Sequence, residues 1–274
     1  MEKAMKNVLN RASVALVLLA LSAATFAQDQ PQVVNIPLSR PGETLHLDID
    51  LIRAKIDVIG EDRSDAQFEV TVAGGNRKII TPTGSVPIKG GGFSFDIDED
   101  DNEISFDMDY SSEKVTLVAR IPTRANLQLS VVNDSEITVS NITGNLELSN
   151  TNGPITASRI SGSVIAESVN NKIDVSFARL DAASASSFES INGELTVAIP
   201  ASAGAELHLD SARGQITSDF EVTLVPTQGT VTRDEGKSGV NVRIEQVIVA
   251  RINDGGPVLR FKTLHGNINI RKAD

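Results

Sequence analysis

Cysteine and tryptophan are absent from this 274-residue chain, which has a single tyrosine. Without cysteine the protein can form no disulfide, and it has no thiolate to act as a nucleophile, a metal ligand or a lipid attachment site. Aromatic residues make up only 4% of the sequence, so side chains on which sugar rings could stack are scarce. A stable fold must therefore come from an aliphatic core and a hydrogen-bonded backbone.

Basic residues are outnumbered by acidic ones. The chain has 25 lysine and arginine residues against 36 aspartate and glutamate residues, which gives a formal net charge of −11 at pH 7. A chain of this charge repels nucleic acids and anionic lipid surfaces. The sequence also lacks a glycine-rich phosphate loop and a dinucleotide fingerprint. We therefore expect neither a nucleic-acid partner nor a bound cofactor.

The usual catalytic and metal-binding patterns are missing too. The three histidines, His46, His208 and His265, are far apart and form no His-x-x-x-His pair. Gly-x-Ser-x-Gly, which marks the serine nucleophile of many hydrolases, does not occur. No set of residues in the sequence therefore predicts a catalytic site.

One acidic run superficially resembles a calcium-binding loop. Asp96, Asp98 and Asp100 occupy alternating places, as the first ligands of such a loop do. The loop requires glycine at its sixth position and glutamate at its twelfth, where this chain has Asp101 and Asp107. The exposed face of a hairpin arm gives the same spacing. We favour that interpretation and assign no metal site.

The first 27 residues have the order of a secretory signal peptide. Lys3, Lys6 and Arg11 form a basic start, an apolar run covers residues 12–21, and Thr25 and Ala27 provide the two small residues of a cleavage site. No later apolar segment reaches the length of a membrane span. We expect cleavage after Ala27, a periplasmic or secreted location, and a mature chain of residues 28–274 without a membrane span.

A nine-residue repeat is the strongest structural signal in the mature chain. Apolar residues recur at nine-residue intervals in two columns: Ile137, Leu146, Ile155, Val164 and Ile173, and two places later Val139, Leu148, Ala157, Ala166 and Val175. Units this short cannot bury an apolar face alone and must stack. Gly144, Gly153, Gly162 and Asn171 precede the units, which predicts turns with positive φ. Ser140, Ser149, Ser158 and Ser176 fall at strand ends, where hydroxyls could bond to turn backbone.

The remainder of the chain is also predicted to be β-structure. Apolar and polar residues alternate through residues 44–50 and 67–72, and residues 93–110 read as a hairpin. Two longer blocks resemble each other: residues 115–137 and residues 195–216 both run as a strand, an Ile-Pro step, a second strand and a turn. The prediction is therefore an all-β, parallel β-helix-like solenoid, with residues 28–114 as its N-terminal β part and residues 115–274 as its repeat part.

These motifs resemble a known family. The Ile-Pro blocks, the step Asn192-Gly193-Glu194-Leu195 and the closing run His265-Gly266-Asn267-Ile268-Asn269-Ile270 are similar to the bacterial putative-adhesin domain family, exported β-strand-repeat domains of unknown function. The resemblance covers most of residues 33–274 and departs from the family at residues 84–110. It implies a β-helix-like solenoid in the bacterial envelope, and the family provides no catalytic residues to transfer.

Two functions follow as expectations. The first is an exported, non-catalytic structural or binding module, adhesin-like, whose partner is an envelope or surface component, either protein or polysaccharide. The alternative is a carbohydrate-active enzyme of the polysaccharide-lyase type, because parallel β-helices host such enzymes. Arg159 and Arg179 lie in the repeat region without a matching aspartate cluster, so we favour the binding module.

The signal segment gives a direct prediction about processing. Intact-mass analysis of the exported protein is expected to show Gln28 as the first residue, because the basic, apolar and small-residue segments occur in the order that signal peptidase recognises. An exported species that begins at Met1 would contradict the prediction.

Overall fold

The computed structural model describes residues 31–72, 95–108, 114–133, 135–181, 184–227, 230–236, 239–245 and 247–273. The predicted signal segment and the predicted hairpin's outer ends, residues 93–94 and 109–110, lie outside these ranges. All regular structure within them is β-strand. They contain no helix that is long and apolar enough to cross a membrane.

Twenty-three strands follow one another within the described ranges. The first twelve are β1 (Gln32–Pro37), β2 (Leu45–Leu51), β3 (Ala54–Glu61), β4 (Asp65–Val72), β5 (Phe95–Asp100), β6 (Glu103–Met108), β7 (Val115–Pro122), β8 (Ala125–Val131), β9 (Glu136–Ser140), β10 (Leu146–Asn150), β11 (Ile155–Ser161) and β12 (Val164–Ser168). The remaining eleven are β13 (Ile173–Arg179), β14 (Ser186–Ser190), β15 (Leu195–Pro200), β16 (Ala205–Ser211), β17 (Ile216–Ser218), β18 (Val222–Val225), β19 (Thr230–Gly236), β20 (Gly239–Glu245), β21 (Ile248–Ile252), β22 (Val258–Thr263) and β23 (Ile268–Ala273).

The strands form two large mixed sheets and one small hairpin. Sheet A has ten strands in the order β1-β4-β7-β3-β9-β11-β13-β15-β23-β17. Sheet B has eleven strands in the order β18-β21-β16-β22-β14-β12-β10-β8-β2-β6-β5. Within the described part of the chain, β19 and β20 pair with each other alone. The predicted all-β class is confirmed.

Consecutive strands alternate between the two sheets in the repeat region. Ile137, Ile155 and Ile173 lie side by side in sheet A, whereas Leu146 pairs with Val164 in sheet B. One nine-residue unit therefore supplies one sheet, and two units bring the chain back to its starting sheet. We call each sheet-B strand together with the sheet-A strand that follows it a level. Residues that pair side by side here are thus eighteen residues apart in the sequence, not nine.

The levels occur in the same order in both sheets. Read along the sheets, they are β6–β7, β2–β3, β8–β9, β10–β11, β12–β13, β14–β15, β22–β23 and β16–β17. Pairing between neighbouring levels is parallel, but antiparallel strands lie beyond the first and last of them. β4 joins β7 and β5 joins β6 at one end, and β21 joins β16 at the other. The prediction of a parallel arrangement therefore holds for the levels and not for the antiparallel ends.

The two similar Ile-Pro blocks perform the same topological step. After β7 the chain continues into β8–β9, but β3 lies between β7 and β9. After β15 it continues into β16–β17, but β23 lies between β15 and β17. In both blocks the chain skips one level, and a segment nearer one end of the chain fills the gap. Proline is suited to the end of these strands because it has no N–H group to donate to the neighbouring strand.

The sheets pack face to face through one apolar core. Phe68 of sheet A lies 6.2 Å from Phe106 of sheet B, and Phe177 of sheet A lies 6.5 Å from Phe188 of sheet B, measured between ring centroids. Between these aromatic pairs the core consists of isoleucine, leucine, valine and alanine side chains. Ile155 is fully buried and Thr156 faces outward, which confirms the predicted register.

The prediction of positive φ at the turns is confirmed at two of its four positions. Gly144 and Gly162 do have positive φ, but Gly153 and Asn171 do not. At Gly153 a β-carbon would overlap the carbonyl oxygen of Ser135 on the neighbouring level, and other turn glycines meet the same obstacle. Close approach of stacked backbones, rather than a left-handed conformation, requires glycine at this position.

The hydroxyls that bond to turn carbonyls are also not the predicted ones. Ser140, Ser149, Ser158 and Ser176 lie on the outer faces of the sheets, half-buried. The turn carbonyls instead accept from inward-facing residues at the ends of sheet-B strands. Ser190 Oγ donates to Asn171 O (3.4 Å), Thr263 Oγ1 to Gly193 O (3.2 Å) and Ser211 Oγ to Gly266 O (3.1 Å).

The register can be tested with two neighbouring substitutions. Ile155→Asp places an unpaired charge in the core and is expected to cost about 3 kcal/mol or more of unfolding free energy. Thr156→Asn, on the outer face of the same strand, is the matched control and should change it by less than about 0.5 kcal/mol. Urea unfolding measures both, and equal losses would contradict the register.

Candidate binding groove

The outer face of sheet B presents side chains in rows, because the levels are paired in register. The last outward position of five neighbouring strands forms the charged row, which consists of Ser149, Glu167, Glu189, Lys262 and Asp210. Lys262 stands between Glu189 and Asp210, one strand spacing from each. That spacing is about 4.8 Å in a β-sheet. The row therefore carries both signs of charge, with carboxylates in excess.

A second row lies where the chain turns from sheet B towards sheet A. This apolar ridge consists of Ile52, Val132, Thr151, Val169, Ile191, Leu264 and Ala212. Ile191 and Leu264 are each 46% exposed, Ile52 is 44% exposed and Val132 39%. These four are among nine large apolar side chains that are exposed in the described ranges. Such a concentration in one row is typical of a contact surface rather than of scattered surface residues.

Amide side chains form a third row beside the ridge. Asn170 Nδ2 donates to Asn152 Oδ1 (2.8 Å), and Asn192 Nδ2 donates to Asn170 Oδ1 (3.0 Å). Asn152 Nδ2 in turn donates to Asn133 Oδ1 (3.0 Å), and His265 Nδ1 lies 3.1 Å from Asn192 Oδ1. We call these five residues the asparagine ladder. Its side chains are exposed and link five successive levels.

Backbone hydrogen bonds between the turns that follow neighbouring sheet-B strands hold the ridge and the ladder in line. Asn170 N donates to Thr151 O (3.1 Å), Asn192 N to Val169 O (2.9 Å) and His265 N to Ile191 O (2.9 Å). The parallel pairing of the strands thus continues around the corner. Five of the seven ridge residues, all but Ile52 and Ala212, are followed immediately by a ladder residue, so both rows have the strand spacing as their period.

A groove runs between the charged row and the apolar ridge. It has a volume of about 700 Å³ and crosses β10, β12, β14, β22 and β16. Its floor is the backbone of the inward-facing residues Asn150, Ser168, Ser190 and Thr263. Ser168 is 6% exposed, and its hydroxyl has no hydrogen-bond partner within the part of the chain that the structure describes. The site is long and shallow, with one polar wall and one apolar wall.

An acidic patch adjoins the groove on the same face of sheet B. Burial raises the pKa of Asp48 above its usual value, and the negative charges of Asp50, Asp107, Glu103 and Glu147 raise it further. Carboxylates thus dominate this half of the face. The opposite half, on β22, carries Arg260 and Lys262.

The calcium-loop candidates lie elsewhere. Asp96, Asp98 and Asp100 point outward from β5, the edge strand of sheet B, and are exposed. Asn102, the next residue of the pattern, is buried and exchanges two 2.7 Å hydrogen bonds with the backbone of Arg40. The turn between β5 and β6 therefore anchors the loop before β2. Within the described ranges no three histidine or acidic residues are grouped so that they could hold a metal ion.

The ridge and the ladder could have been found in the sequence. The pairs Val132-Asn133, Thr151-Asn152, Val169-Asn170 and Ile191-Asn192 recur at intervals of 19, 18 and 22 residues. A nine-residue period hides them, because alternate units turn at opposite corners. Taken alone, Asn133 indicates only a turn.

Two solved bacterial structures are similar to this chain. One is a "putative cell adhesion protein" from Clostridium sporogenes, with 11% identity and a TM-score of 0.48, and the match covers 89% of this chain and 100% of that one. The other is a "putative adhesin" from Bacteroides fragilis, with 11% identity and a TM-score of 0.36, covering 89% and 98%. No family model and no curated protein matches the chain. Similarity this distant assigns neither a ligand nor an activity.

The acidic patch predicts a pH-dependent effect on stability. Because the pKa of Asp48 is raised in the folded state, its ionised form weakens the fold, and this loss grows as pH rises through the carboxylate range. Asp48→Asn should therefore raise the melting temperature at pH 7, and the gain should shrink on acidification. Asp254→Asn, in an exposed turn outside the patch, is the control. A gain independent of pH would contradict the assignment.

Proposed function

We propose that this protein is an exported, non-catalytic module with a solenoid architecture that binds an envelope or surface component along its sheet-B corner. The matching order of levels in both sheets and the alternation of successive strands between them support the solenoid interpretation. Removal of residues 1–27 would deliver it to the periplasm or the medium.

The single observation that carries the proposal is the apolar ridge with its asparagine ladder. A protein gains nothing in stability by exposing Ile191 and Leu264 beside one another, since their burial would be favourable by about 25 cal/mol per Å². The ridge continues over most of the levels and lies beside polar groups with the same period. An extended partner could contact many levels at once, and many weak contacts then add up to useful affinity.

The polysaccharide-lyase alternative also has one observation in its favour. Lys262 lies between Glu189 and Asp210 in the groove, and a base beside carboxylates is what sugar elimination requires. Release of unsaturated oligosaccharides by the purified protein, abolished by Lys262→Ala, would establish the enzyme. Binding without product release, little changed by Lys262→Ala, supports the module.

The ridge allows a direct test of binding. The mature protein should bind isolated envelope fractions of a bacterium that exports it, and Ile191→Ser with Leu264→Ser should weaken binding at least about fivefold, because two exposed contacts are lost. Leu224→Ser removes an aliphatic side chain that is 67% exposed on β18, away from the groove, and is the matched control. Sedimentation binding assays measure all three proteins. Equal binding by the ridge variant and the control would contradict the proposed surface.

A further inference from the structure

The asparagine ladder offers hydrogen bonds at a fixed interval. Asn170 and Asn192 each donate one bond along the ladder. An amide carries two N–H donors and an oxygen with two lone pairs. Each of these side chains therefore keeps one donor and one acceptor that are not used within the described part of the chain. On Asn170 and Asn192 these groups lie one strand spacing apart, about 4.8 Å. Asn152 uses its second amide donor on Val132 O (3.1 Å).

The ladder spacing can be compared with the length that one residue of each kind of extended polymer spans. An extended peptide advances about 3.3 Å per residue and a polyproline helix about 3.1 Å. Neither would stay in register with the ladder over several levels. One pyranose residue of an extended glycan spans close to one strand spacing. A linear glycan laid across the strands would therefore present one sugar to each level.

The ridge narrows the type of sugar. Bare sugar rings bind best on aromatic faces, but the ridge contains only aliphatic side chains and Thr151. Phe177, Phe188 and Phe261, which lie beneath this part of sheet B or opposite it, are all buried. Aliphatic side chains such as Ile191 and Leu264 suit a methyl group better than a ring face. An acetamido group provides a methyl for the ridge and an amide that can bond to the ladder.

The charged row excludes polyanionic glycans. Three of its five members are carboxylates, Glu167, Glu189 and Asp210, against the single Lys262. The neighbouring acidic patch adds to the negative potential. A polyuronate would be repelled along most of the groove, whereas a neutral glycan would not.

We propose that the groove binds a linear, neutral glycan of N-acetylated amino sugars, aligned along the stack with one sugar per level. This inference rests on the proposed function and specifies its ligand. Because successive sugars of a β-1,4-linked chain are turned over, acetamido groups and hydroxyls alternate along the edge of the chain that faces the ladder. At every second level an acetamido methyl lies on the apolar ridge and its amide bonds to the asparagine ladder, and at the level between a sugar hydroxyl bonds to the ladder. The other edge of the chain faces the charged row.

Calorimetric titration with chitin-type oligosaccharides of two to six residues tests the proposal on the mature protein. Affinity should rise with chain length, most with every second sugar, up to about the number of strands that the groove crosses. Cellulose-type oligosaccharides have the same backbone without the acetamido group, and they should bind at least about tenfold more weakly. Oligouronates should not bind. Equal affinity for acetylated and unacetylated chains, or no dependence on length, would overturn the proposal.

Substitutions in the ladder locate the site. Asn170→Ala and Asn192→Ala should each lower affinity about threefold to tenfold, the worth of one lost hydrogen bond. Thr138→Ala and Thr156→Ala remove outward polar groups from neighbouring strands of sheet A and are the matched controls. Melting temperatures confirm that the variants fold. Losses that are equal in ladder variants and controls would place the ligand elsewhere and overturn the proposal.

The envelope-binding assay distinguishes failure of the glycan assignment from failure of the proposed function. If envelope fractions bind and the ridge variant weakens that binding, but chitin-type chains do not bind, then the glycan assignment is wrong and the proposed surface stands. If neither binds, the proposed function fails as well.

Discussion

Hydrogen bonding between neighbouring levels, in parallel pairing, is the constraint on which the rest of this structure depends. Because Ile137, Ile155 and Ile173 are held side by side, the paired residues of one level lie directly beside their counterparts on the next. The pairing of β11 with β13 departs from this pattern after Ala157, where the register shifts. The natural unit of this protein is therefore a column, meaning the set of side chains that occupy the same position on successive levels. Inward columns form the core, corner columns form the ridge and the ladder, and turn columns require glycine where backbones approach too closely for a β-carbon.

The same constraint creates a problem at the ends, where strands would have unpaired edges. Exposed edges invite pairing with other chains. β4 and β1 extend one end of sheet A, and β21 and β18 extend one end of sheet B, all in antiparallel pairing. Near both ends, a level from elsewhere in the chain is inserted between two others. β22–β23 can pair fully only after both neighbours have formed, so this inserted level ties residues 258–273 to strands far away in sequence.

The sequence was sufficient for the all-β class and for the inward columns, because alternation and a fixed period leave little freedom in which side chains face the core. Ile155 and Thr156 were placed correctly on this basis. The inserted levels could not be predicted, since a repeat indicates which units stack but not in what order. The glycine at position 153 was expected for its φ, but its reason lies in Ser135 on the adjacent level, a contact invisible along the chain. The groove was missed because its residues follow the eighteen-residue period of one corner, and the nine-residue period mixes both corners.

A periodic surface of this kind differs physically from an active site. Catalysis relies on a few groups that are preorganised around one reacting position and shielded from water. The ridge and the ladder instead repeat one modest contact at each level, in a groove that is open to solvent along its length. Each contact alone would be too weak to hold a partner, and only a ligand with a matching repeat can use several together. Under the proposed function, selectivity arises from the interval between contacts, which the backbone hydrogen bonds of the levels determine. The constraint that builds the core would then also set what the surface recognises.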